Sequence, residues 1–72
     1  MSHYEGRVRR ELARAGRLGT DPRHVLGWMY QNHNTLDHLS ATQFRSEVRE
    51  AADLVDASDP ELNDCMAEMA GC

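Results

Sequence analysis

Two cysteines, no lysine and no long apolar run are what this chain of 72 residues conspicuously withholds. Cys65 and Cys72 are too few for a disulfide-stapled miniature fold, and a bridge between them would close a loop at the chain end and constrain little. No apolar stretch approaches the roughly 20 residues that span a bilayer. The charged start, Met1 to Arg10, has no apolar stretch behind it to make a secretory signal. The expectation is a soluble, cytoplasmic protein without membrane contact. No run alternates with period two and no Asn-Gly or Asp-Gly pair marks a hairpin, which argues against strands. Internal repeats and low-complexity stretches are absent. All eight basic residues are arginine, a bias that a GC-rich coding genome would produce.

Length sets the next bound. A chain this short is one domain, residues 1–72, and buries only roughly 60% of the surface its unfolded form exposes. That leaves one thin core and no room for a deep cleft between lobes, so an enzyme of this size would have to build its site by oligomerising. At 40% hydrophobic and 28% charged, the composition is that of a folded globule and too apolar for a disordered tail.

What is present is four helical segments with start signals. Ser2-His3-Tyr4-Glu5 has the form of a capping box, in which serine and glutamate each satisfy a free backbone N–H. Tyr4, Val8, Leu12 and Ala15 follow at helical spacing, and Gly16 and Gly19 end the segment. Asp21-Pro22 opens the second: aspartate caps well, and proline is pre-shaped for the first helical position. Val25, Leu26, Met29 and Tyr30 form its apolar face, with His33 on the same side. Gly27 inside it costs roughly 1 kcal/mol relative to alanine, which points to a close approach to its backbone. Ser40 and Gln43 form another capping box, with Leu39 and Phe44 placed for a hydrophobic staple. Phe44, Val48, Ala51, Ala52 and Val55 carry that stripe to about Asp56. Asp59-Pro60 opens the last segment, whose expected buried stripe is Leu62, Cys65, Met66 and Met69 before Gly71. The fold class expected is all-α, a small bundle of three main helices plus a short C-terminal helix, or a helical hairpin completed by dimerisation.

Charge is segregated. Residues 1–23 hold six arginines against Glu5, Glu11 and Asp21, whereas residues 24–72 hold Arg45 and Arg49 against nine acids. Arg7, Arg10, Arg14 and Arg17 share one face of the first helix. A solvated face tied down by Arg7–Glu11 and Glu5–Arg9 pairs is one reading. Contact with phosphates or an acidic partner is the other, since arginine presents a planar fork that pairs bidentately. Nucleic acid is disfavoured. The one junction short enough for a helix-turn-helix, Ala57 to Asp59, would lead into a recognition helix bearing Glu61, Asp64 and Glu68 and no base.

His3, His24, His33 and His38 lack the spacing of a zinc site, and no metal or other cofactor is expected. His33 reads as a half-buried side chain bonded to a backbone group, and His38 as a loop residue. Ser40 and Ser58 read as helix caps, and Cys65 as a small buried residue without a cation nearby to activate it. Trp28 falls about 60° outside the main stripe of its helix, beside His24. Leu54 lies similarly outside its own stripe. Wheels this wide mean that the bundle wraps both sides or that one side meets another chain.

Asn34-Thr35-Leu36-Asp37-His38-Leu39-Ser40, with Phe44-Arg45-Ser46-Glu47-Val48 after it, resembles a pattern in short uncharacterised helical proteins of GC-rich bacteria and their phages. It covers about a third of the chain. The resemblance implies an accessory protein that binds a host protein, and assigns no residue a role. The combined expectation is a non-enzymatic protein-binding accessory protein with Arg7, Arg10, Arg14, Arg17 and Trp28 as contact residues. Its partner is another protein or a second copy of itself. The alternative is a small regulator touching nucleic acid through the first helix.

Overall fold

The computed structural model describes residues 4–71. Its elements are α1 (Glu5–Arg14), α2 (Pro22–Asn32), α3 (Ala41–Ala57) and α4 (Pro60–Met69), and the described residues contain no strand. Ser2 of the expected first capping box lies outside those residues, but the box is not the start of α1. Tyr4 holds the N-cap position without a side-chain capping bond, and Glu5 is the first helical residue, where its carboxylate pairs with Arg9. α1 stops at Gly16, whose φ of 73° is a backbone state that favours glycine. There the Gly16 N–H donates to the Ala13 carbonyl at 3.1 Å and the Arg17 N–H to the Leu12 carbonyl at 2.9 Å. These paired bonds satisfy carbonyls that the helix leaves open and turn the chain towards α3.

The two middle starts follow from the same local chemistry. Asp21 accepts the Arg23 N–H at 2.9 Å, with Pro22 in the first turn of α2. At α3 the Ser40 side chain accepts the Gln43 N–H at 3.2 Å while the Gln43 side chain accepts the Ser40 N–H at 3.0 Å, a complete capping box. Asp59 holds the N-cap position of α4, but its side chain makes no capping bond and only its carbonyl engages the helix, accepting the Asn63 N–H at 3.1 Å.

α2 is the hub, packed by each of the other three helices, with α1 also resting on α3. The contiguous core takes Val8 and Leu12 from α1, Val25, Leu26 and Met29 from α2, and Phe44, Val48, Ala51, Ala52 and Val55 from α3. Leu36, in the loop between α2 and α3, joins them at 1% exposure and fastens that loop to the core. Each of the larger side chains contributes roughly 1.5–3 kcal/mol by leaving water. α4 supplies none of this cluster; its buried residues are Asn63 and Ala67. It is nonetheless closely docked: the radius of gyration is 10.8 Å, against about 11 Å for a folded chain of this length.

Candidate functional site

The α2–α4 seam decides which side of α4 is left outside. Gly27 has no Cβ, and α4 moves into the space: a Cβ built there would lie 2.6 Å from the Met66 carbonyl carbon and 2.7 Å from the Ala67 nitrogen. The expected close approach to Gly27 is therefore present, and the visitor is the backbone of α4. Two polar contacts flank this notch, made by residues one helical turn apart on α2 and by consecutive residues on α4. His24 Nε2 is 2.6 Å from Asp64 Oδ1, and Trp28 Nε1 donates to Asn63 Oδ1 at 2.9 Å. Asn63 in turn donates from Nδ2 to the Val55 carbonyl at 3.0 Å, so the buried amide joins α2, α3 and α4. The wide wheel of α2 is explained by burial on several sides within one chain.

Contact through Asn63 and Ala67 leaves the adjacent face of α4 uncovered. Successive residues step about 100° around a helix, so Leu62, Cys65, Met66 and Met69 share a face next to that of Asn63 and Ala67. These are the residues expected inside. The structure places Leu62 at 44% and Met69 at 69% exposure, Cys65 exposed with a free thiol, and Met66 half-buried. The spacing was that of a stripe meant for burial, but the notch at Gly27 accepts small residues and backbone, and Ala67 fits where leucine or methionine would not. Glu61 and Glu68 occupy the flank of this face beside Cys65, and neither forms an ion pair among the described residues.

The arginine ridge is divided by the tertiary structure. Arg7 is half-buried, its guanidinium carbon 4.0 Å from the centre of the Phe44 ring, in place of the expected pairing with Glu11. Glu11 instead meets Arg45 of α3 at 3.0 Å and Arg14 at 3.9 Å. Arg17, redirected by the Gly16 turn, pairs with Asp53 and, at 3.1 Å, with Asp56 of α3. Arg9 pairs with Glu5 at 3.2 Å, as its spacing implied. Arg10 and Arg14 are exposed, and Arg10 has no acidic partner among the described residues. Trp28 is half-buried with its N–H committed to Asn63.

The histidines have structural neighbours. His33 ends α2 half-buried, and its Nε2 lies 3.2 Å from Glu47 Oε1 rather than against a backbone group. That approach lacks hydrogen-bond geometry, so the nitrogen has no hydrogen-bond partner. His38 is an exposed loop residue whose ring centre is 5.3 Å from that of His33. Among the described residues, no group of three or more His, Cys, Asp or Glu is arranged to hold a metal ion. Ser40 is the α3 cap, whereas Ser58 ends α3 without serving as the cap of α4. A surface cleft of about 380 Å³ lies between the end of α1 and α3, lined by Ala15, Arg17, Arg49 and Asp53. No helix among the described residues is long and apolar enough to cross a membrane.

Among the described residues, Leu18 and Leu54 are also exposed, each apart from the other, whereas Leu62, Cys65 and Met69 share one helix face that the fold itself does not use. Sequence reasoning found its residues and misplaced them, because periodicity reports that a stripe exists and not what lies opposite it. The signals that could have placed it were already visible: Gly27 in a helix interior and Ala67 as a small residue within the last helical segment. No protein-family model, no curated protein and no solved structure matches the chain, so the site stands on its geometry alone.

Proposed function

We propose that this is a non-enzymatic protein-binding protein whose docking face is the outer side of α4. The observation that carries the reading is the exposure of Leu62, Cys65 and Met69 along one side of a helix that is otherwise firmly docked. Apolar side chains spaced i, i+3, i+7 are the anchors by which helices recognise one another. Isolated surface leucines need no explanation, but a contiguous apolar strip does. The half-buried Arg7, Arg17 and Trp28 serve the fold first. Of the expected contact residues this leaves Arg10, unpaired among the described residues, and the exposed Arg14, in contact with Glu11 only at 3.9 Å, on the opposite end of the chain's charge distribution.

The test is capture from a lysate of the natural host by immobilised wild type, by Leu62→Glu/Met69→Glu and by Arg10→Glu/Arg14→Glu, with half of each sample treated with nuclease. A protein retained by the wild type and lost with the α4 variant is the expected result. Retention indifferent to the α4 substitutions would remove that face from the account. A second reading, contact with nucleic acid through α1, has the exposure of Arg10 and Arg14 in its favour. It requires nuclease-sensitive capture and duplex binding that fades steeply with added salt.

A further inference from the structure

The rim of the α4 face has a sign. Glu61 and Glu68 lie two turns apart on the same flank, beside Cys65, and both are without ion pairs among the described residues. Asp64, the remaining acid of the helix, is engaged by His24, and α4 carries no base. We propose that the face receives an amphipathic helix of another protein, whose apolar side covers Leu62, Cys65 and Met69 while its Lys or Arg side chains meet Glu61 and Glu68. This rests on reading α4 as a docking face and adds the chemistry of what docks.

Charge selects this occupant over the others. A second copy presenting its own α4 antiparallel would set Glu61 and Glu68 beside their symmetry mates, and like charges flanking a helix pair repel. A second copy presenting α1 offers Arg10 and Arg14, but Val8 and Leu12 are already buried in its own core and leave no apolar stripe to give. That head-to-tail contact would also continue from copy to copy. An anionic lipid surface is repelled by the same two glutamates. A foreign helix with an apolar stripe and a basic flank satisfies both halves of the face. Leu62 to Met69 spans roughly 10 Å of helix axis, two turns of contact.

The experiment uses the full chain as bait for a displayed library of short helical peptides with a fixed apolar stripe and randomised flanking positions. Circular dichroism confirms that each bait variant is folded, and sedimentation equilibrium follows the chain alone. Selected peptides should carry Lys or Arg on the flank and lose binding on Met69→Glu. Glu61→Lys/Glu68→Lys should weaken them on the order of fivefold, the scale of two exposed charge pairs. Selected flanks that are neutral or acidic, with binding still lost on Met69→Glu, would overturn the basic partner and leave the docking face standing. A library yielding no peptide whose binding depends on Leu62 or Met69 overturns both. Concentration-dependent dimerisation abolished by Met69→Glu would assign the face to a second copy and overturn the proposal.

Discussion

Gly27 of α2 and Ala67 of α4 lie so close that a Cβ added to the glycine would sit 2.7 Å from the alanine nitrogen. Neither residue is chemically notable, yet their proximity sets the rotation of α4. It brings Asn63 against Trp28 and Val55 and turns Leu62 and Met69 outward.

Gly27→Ala should therefore destabilise the fold even though alanine is the better helix former. Overpacking against backbone that cannot yield costs about 1–3 kcal/mol and outweighs the roughly 1 kcal/mol of propensity gained. Gly6, within α1, has nothing within 4 Å of its would-be Cβ, and Gly6→Ala should stabilise by up to about 1 kcal/mol. Denaturant melts of the two variants should shift in opposite directions.

Asn63 is the buried polar link of the bundle, accepting from the Trp28 indole and donating to the Val55 carbonyl. Asn63→Ala should cost about 1–3 kcal/mol, because it opens two hydrogen bonds in a region with little water. Trp28→Phe removes one of them. A double-mutant cycle between the two should show clear non-additivity, since the residues share a bond. Additive losses in thermal or denaturant unfolding would show that the indole–amide bond contributes little.

Leu36 holds the α2–α3 loop in the core at 1% exposure. Leu36→Ala should cost about 2–5 kcal/mol, as large-to-small changes do at sites that cannot collapse. The readout is the denaturation midpoint. A loss below about 1 kcal/mol would place the loop outside the cooperative unit.

Leu62→Gln and Met69→Gln should leave stability within about 0.5 kcal/mol of wild type, the range of surface substitutions. Ala67→Gln, one face away on the same helix, should undock α4. This contrast is read by melting and by hydrogen exchange of α4 amides, and equal losses at all three positions would return Leu62 and Met69 to the interior.

Much of this fold was legible because its determinants are local. The capping box at Ser40 and Gln43, the Asp21-Pro22 start and the helix stop at Gly16 need only a few consecutive residues to work. The stripes of α1, α2 and α3 were also readable, since each faces a core that accepts large side chains. The buried loop leucine was missed, because Leu36 sits in no periodic segment. Glu11 was assigned to the wrong arginine, because helical spacing sees Arg7 and not Arg45 across the bundle. Cys65 was expected inside and lies exposed.

By itself the sequence determined where α2, α3 and α4 begin, where the helices end and that most of them are amphipathic, since caps, proline, glycine and periodicity act within a few residues. Only the tertiary structure decided which arginines remain at the surface and which side of α4 is concealed. Both depend on what stands opposite a side chain. The absent side chain at Gly27 settles the second question by admitting a backbone where a larger neighbour would have been held off.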